Sequence, residues 1–215
     1  MMKTAYQICL ILLIVGMGVS CKSNKLSLST TKDKYGLVVD KKWEKYLIES
    51  KTVVKKTVND FQQYFIGMFD EKDVPAYYYI DVNKYEAIPV DVYLIDSLTY
   101  SALDENTDYK TILKPYKEAA KYYFLEHGEF VKSATMGFEN GKWVRIDGGP
   151  SFFDKTYAKK LTEIIFEKKL RYMSILVKAS KFTRFFNAFI DENGKFMIIN
   201  ESGRVWPIGD VLIGF

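Results

Sequence analysis

His127 is the only histidine in the chain, so metal sites built from several imidazoles are excluded. A Ser-His-Asp triad would have to use His127 as its base. Its neighbour Gly128 reads instead as a helix end, where a histidine completes the last carbonyls. Asp81, Asp91, Asp147 and Asp154 are acids from which a carboxylate pair for sugar hydrolysis could be drawn, and their spacing singles out none of them. Asp104, Asn106 and Asp108 match the first three ligand positions of a calcium loop. Tyr109 then replaces the required glycine, and Pro115 stands where the bidentate glutamate belongs. No Gly-x-Ser-x-Gly elbow, phosphate-binding glycine loop or dinucleotide fingerprint occurs. Tyr77, Tyr78 and Tyr79 alternate faces if extended, so they form no single stacking platform. The sequence therefore names no catalytic residue, no metal ligand and no cofactor.

The residue that does carry chemistry is Cys21. Lys3 gives a positive start, and Thr4 to Ser20 follow without a charge. That run is short for a membrane span, which wants about 20 apolar residues, and it suits the apolar core of a secretory signal. Gly18-Val19-Ser20-Cys21 then resembles the lipobox of bacterial lipoproteins, with Gly18 in place of the usual leucine. The resemblance implies cleavage before Cys21, lipidation of its thiol and acylation of its amine. Palmitate-type chains would hold the protein on the bilayer, each buried methylene contributing about 0.8 kcal/mol. Lys22, rather than aspartate, after the cysteine implies the outer membrane in a Gram-negative cell. Cys9 lies in the segment removed, so a lipidated Cys21 leaves no disulfide, and stability must come from packing.

The charge balance excludes a dedicated nucleic-acid binder. Of 31 basic residues the signal removes only Lys3, against 27 acidic ones. Lysine supplies nearly all the positive charge; Arg145, Arg171, Arg184 and Arg204 are the only arginines, few for bidentate phosphate recognition. Lys22 to Gly36, rich in Ser, Thr and Lys, reads as a flexible tether behind the anchor. The organisation expected is thus a signal over residues 1–20, lipidated cysteine and tether over 21–36, and one domain over 37–215, with a subdivision allowed near 97–108.

The elements that must hold any site follow from periodicity. Asp40 caps a long N-terminal helix expected over Lys41 to Phe69, with Trp43, Leu47, Ser50, Val54, Thr57, Phe61, Tyr64 and Met68 as its buried stripe. Ala76 to Asn83 and Ile88 to Asp96 read as strands, Pro115 to Leu125 as a helix, and Asp154 to Lys169 as another. Tyr172 to Ala179, Phe182 to Ile190 and Phe196 to Asn200 read as strands. Glu139-Asn140-Gly141-Lys142 and Glu192-Asn193-Gly194-Lys195 predict two-residue type I′ hairpins, because Asn and Gly best tolerate positive φ. Each would set Glu against Lys, and the first would set Phe138 against Trp143.

The expected fold class is α+β: antiparallel sheets of hairpins packed on the long N-terminal helix and two shorter helices, with spacing that allows repeated α-β-β units. The expected function is a non-catalytic binding module of the cell envelope, held to membrane lipid by Cys21 and working on another envelope protein. Aromatic residues at 16% of the chain, with Trp43, Trp143 and Trp206 as the largest, fit such a surface. Two alternatives are an assembly protein that oligomerises through the 41–69 helix, and a glycan or cell-wall hydrolase using two acids.

Overall fold

The computed structural model describes residues 30–74, 79, 81–145 and 151–213. Its first element is strand β1 (Thr30–Lys32), which returns to β2 (Val38–Asp40) through a turn built on Asp33. Asp33 Oδ1 accepts the N–H groups of Tyr35 at 2.9 Å and Leu37 at 3.0 Å, and Gly36 sits at φ 84°. Residues 30–36, expected as tether, are therefore structured. The reason is tertiary: Asp33 pairs with Arg171 at 3.1 Å, and Tyr35 packs against the core.

The same turn recurs twice. Asp191 accepts from Asn193 and Lys195, and Asn200 from Ser202 and Arg204, with Gly194 and Gly203 both at φ 77°. The Asn193-Gly194 hairpin is thus not type I′. Asp191, one residue earlier, holds two backbone donors with its carboxylate, and its own N–H donates to the Lys195 carbonyl at 2.9 Å. At 139–142 no such capping acid competes. There Asn140 (φ 50°) and Gly141 (φ 78°) form the two-residue turn, with Phe138 opposite Trp143 and Glu139 opposite Lys142.

A single helix over 41–69 is not seen. Two helices, α1 (Lys41–Glu49) and α2 (Lys51–Ile66), meet at Ser50 (ψ −3°), whose N–H still donates to the Tyr46 carbonyl at 2.9 Å and whose carbonyl still accepts from Val54 at 3.0 Å. Asp40 caps α1 by accepting from Lys42 and Trp43. The buried face runs through Leu47, Ser50, Val54, Val58 and Gln62, while Tyr64 and Met68, assigned to the stripe by spacing, are exposed.

The architecture is α+β. One sheet has the order β3 (Glu86–Val90), β6 (Ala119–Glu126), β7 (Glu129–Glu139), β8 (Lys142–Arg145), with β9 (Ser151–Phe152) also on β7. The other runs β13 (Val205–Pro207), β12 (Phe196–Ile199), β11 (Thr183–Ile190), β10 (Arg171–Lys178), β4 (Val92–Ile95), β5 (Lys114–Pro115). All pairs are antiparallel except β4 with β10. One strand expected from Ile88 to Asp96 is broken at Asp91, which sends its two halves into different sheets. That split separates the first strand pair and leaves no regular α-β-β repeat.

The segment 115–125, expected as a helix, is instead the end of β5, a bend over 116–118 and then strand β6 from Ala119. Ala120, Tyr122 and Phe124 face the helices while Tyr123 and Leu125 face the second sheet, so β6 is buried on both sides. Continuous apolarity hides the strand period, and pairing with β3 and β7 overrides the helix propensity of Ala119 and Ala120. His127 and Gly128 form the β6–β7 turn at φ 50° and 84°, not a helix end. Half of the strand expected over Ala76 to Asn83 lies outside the described residues, and its described end is not strand: Asp81 caps a short 3-10 turn, Val82–Lys84.

Three apolar layers result. Leu47, Val54 and Val58 of α1 and α2 pack with Tyr122, Phe124 and Met136 on the first sheet. Between the sheets, Tyr123 and Leu125 meet Tyr172, Phe189 and helix α5 (Lys155–Thr162), which ends in a π turn over Glu163–Glu167. Beyond the second sheet lie the β1–β2 turn and short helices α3 (Ser97–Ser101), α4 (Tyr109–Ile112) and α6 (Ile208–Leu212). Residues 97–108 are tied into this layer, where the Tyr100 hydroxyl donates to the Leu212 carbonyl at 3.1 Å. No described helix is long and apolar enough to cross a membrane.

Candidate functional site

β11 is paired with β10 along its whole length, from Thr183 to Ile190. Its pairing with β12 covers only Asn187 to Ile190. After Ile199 the chain turns away at Asn200, because the Asn200–Arg204 turn sends it into β13. The first half of β11 is left without a neighbour on that side, and a groove of about 780 Å³ opens against it. Arg184, Phe186, Ile198, Glu201, Ser202 and Trp206 line it, and Asn187 borders it at the strand edge with its side chain turned to the opposite face, between the sheets. Trp206 of β13, opposite Ile198 of β12, is 36% exposed at the rim. Asp210 and Val211 of α6 close the end.

Behind Asn187 a chain of polar side chains runs into the inter-sheet core. Asn187 Nδ2 donates to the Tyr157 hydroxyl at 2.8 Å, and its Oδ1 accepts from Lys121 Nζ at 2.9 Å. The Tyr172 hydroxyl lies 3.2 Å from that of Tyr157 and bonds that of Tyr123. Tyr123 also reaches Asn187 Oδ1 at 3.5 Å. Burial pushes all three tyrosines up, Tyr123 and Tyr172 well above the ordinary phenol value. They are therefore neutral hydroxyls at physiological pH, suited to fixing Asn187 and unsuited to act as phenolate bases. Sequence reasoning missed this cluster. Tyr157 falls inside the helix expected over Asp154 to Lys169 and Tyr172 opens an expected strand, and nothing in the spacing links them to Asn187.

A second polar pair is buried between α2 and the first sheet, where Lys132 Nζ donates to Gln62 Oε1. Arg171 carries the main buried charge of the second sheet. It bonds Asp91 at 2.6 Å and Tyr93 at 3.3 Å, besides its ion pair with Asp33. Burial alone would lower its pKa, but Asp91 and Tyr93 outweigh that and raise it.

The acids considered for hydrolysis are not brought together. Asp81 caps the Val82–Lys84 turn, Asp154 caps α5 by accepting from Thr156 at 2.7 Å, and Asp91 is held by Arg171. Asp147 lies outside the described residues. Hydrogen bonds from Asn83 and Thr156 hold the carboxyls of Asp81 and Asp154 below the usual range. Asp104 accepts from Asn106 and Thr107, and Asp108 caps α4. Among the described residues no group of three or more His, Cys, Asp or Glu could hold a metal ion.

Of the tryptophans, Trp43 and Trp143 stack with Tyr46 and Phe138 at centroid distances of 5.1–6.0 Å, in the layer beneath the helices. Trp206 lines the groove beside β11. Cys21, Tyr77 and Tyr78 lie outside the described residues. Compared with known proteins, the chain matches no protein-family model, no curated protein and no solved structure.

Proposed function

We propose that this protein is an envelope lipoprotein, anchored through acylated Cys21, whose domain is a non-catalytic binding module working through the groove beside Trp206. The observation that carries the reading is that groove. It is large enough for a ligand of 300–1,000 Å³ class, and it joins one exposed indole to the charged side chains Arg184, Glu201 and Asp210. The roles of Asp81, Asp91 and Asp154 as caps and ion-pair partners speak against hydrolysis. The partner is another envelope protein, and the favoured address is the outer membrane.

A photo-crosslinking residue placed at Trp206 in cells tests this. A discrete protein adduct from position 206, absent when the residue is placed at buried Leu161, is expected. Adducts from the outer face of α2 with none from 206 would sink it. That outcome belongs to the assembly reading, which Val53 at 54% exposure and Tyr64 at 68% favour. Sedimentation of the domain as a monomer at all concentrations would remove the assembly reading.

A further inference from the structure

The groove is bounded by main chain as well as side chains. On β10, the Ser174 N–H donates to the Asp91 carbonyl, toward β4, and Ser174 stands opposite Asn187. In an antiparallel ladder, directions alternate residue by residue. The odd-numbered residues of β11 therefore aim their N–H and C=O groups away from β10, toward β12. Asp191 agrees, since its N–H donates across to the Lys195 carbonyl. Asn187 and Phe189 are paired in this way with β12, whereas Thr183 and Phe185 lie beyond its end. Each thus presents one donor and one acceptor to open space, in strand conformation.

The space on both faces of this edge is also open. The groove with Trp206 and Val211 lies on the side of Arg184 and Phe186. A hollow of about 500 Å³, lined by Tyr116, Phe138 and Lys178, lies on the side of Thr183 and Phe185. A strand laid along the edge would send alternate side chains into the two hollows, each of which holds an aromatic surface. Of the larger groove's charges, two carboxylates, Glu201 and Asp210, outnumber the one cation, Arg184, which lies over the Phe186 ring at 5.3 Å, and neither acid forms a salt bridge among the described residues, so the groove suits a basic side chain.

We propose that the Thr183–Phe186 edge of β11 receives an extended segment of a partner protein by strand addition, with a lysine or arginine facing Glu201 and Asp210 and large apolar residues in the two hollows. This rests on the binding-module reading and specifies its ligand as an extended polypeptide. Main-chain bonds give such complexes affinity, and the pockets give specificity.

The test uses the full chain in detergent micelles and a random decapeptide display library. Selected peptides are synthesised and titrated by fluorescence anisotropy. They should be rich in Lys or Arg alternating with aromatic or aliphatic residues. N-methylation of alternate peptide amides should weaken binding about tenfold or more, as should Thr183→Pro, since the first deletes the peptide's ladder donors and the second one donor of β11. Glu201→Gln should reduce affinity and flatten its salt dependence. Exchange of the Phe185 amide should be fast in the free chain and at least about tenfold slower with peptide bound. The N-methylated peptides read the ladder on unaltered protein, so misfolding of Thr183→Pro would not obscure the result. Peptides indifferent to N-methylation and to Thr183→Pro, yet lost with Trp206→Ala, would overturn strand addition and leave the binding groove standing. No selected peptide, or binding indifferent to Trp206→Ala as well, would overturn both. A Phe185 amide protected in the free chain in proportion to a sedimenting dimer would also overturn the proposal, because a second copy would then fill the edge.

Discussion

Tyr172→Phe deletes one oxygen from a chain of three buried hydroxyls and is the sharpest probe of the inter-sheet core. The ring stays, so no cavity larger than a hydroxyl is created. Two hydrogen bonds disappear, to Tyr123 and to Tyr157 at 3.2 Å. Tyr157 keeps the amide of Asn187 at 2.8 Å, whereas Tyr123 retains only its long contact with Asn187 at 3.5 Å. Each lost bond is worth about 1 kcal/mol, and a buried hydroxyl left nearly unpaired costs about 1–3 kcal/mol. Counting the lost Tyr157 bond and the orphaned Tyr123 hydroxyl, the expected loss is about 2–4 kcal/mol, which for a domain of this size lowers Tm by about 4–16 °C. Urea denaturation followed by tryptophan fluorescence measures it, with an unchanged m-value as the sign that the native state alone is altered. The decisive arm is the cycle with Tyr123→Phe. Removing both partners leaves no orphan on Tyr123, so the double variant should be more stable than the sum of the single losses predicts, by about 1 kcal/mol or more. Additive losses, or a Tyr172→Phe cost below about 0.5 kcal/mol, would refute the claim that these hydroxyls act as one unit.

Three further outcomes follow from the same geometry. Asn140→Ala should cost about 1 kcal/mol because Asn140 sits at φ 50°, while Asn193→Ala, outside the positive-φ set, should stay within about 0.5 kcal/mol; equal urea midpoints would show the two turns to be alike. Burial, with a contribution from Asp91, pushes the Tyr93 hydroxyl up to about 12 despite Arg171. Its stabilisation is then complete below the unfolded value near 10 and lost as pH rises from about 10 through 12, so Tyr93→Phe should flatten the fall of the urea midpoint in that window, and an unaltered slope would contradict it. Cys21→Ser should abolish palmitate labelling and signal cleavage, and a chain starting at Ser23 should leave the membrane fraction; labelling that persists in Cys21→Ser would remove the anchor.

The sequence alone determined what is decided within a few residues. Asn140-Gly141 fixes its turn because both φ angles are positive and no neighbour offers a better capping group. Asp40 and Asp154 start helices because a short carboxylate reaches the free N–H groups of the first turn. The strands after Arg171 announce themselves through β-branched and aromatic runs. Where two local signals competed, only tertiary structure chose. Asp191 displaced Asn193 as the organiser of its turn, and pairing with β3 and β7 made a strand of the alanine-led segment 119–126. The binding groove and the Tyr123–Tyr157–Tyr172 chain lie further still from anything local. The groove exists because β12 leaves β11 after Ile199, and the hydroxyls converge from β6, α5 and β10. Their meeting depends on how the two sheets cross, a matter of long-range packing and register that no spacing along the chain encodes.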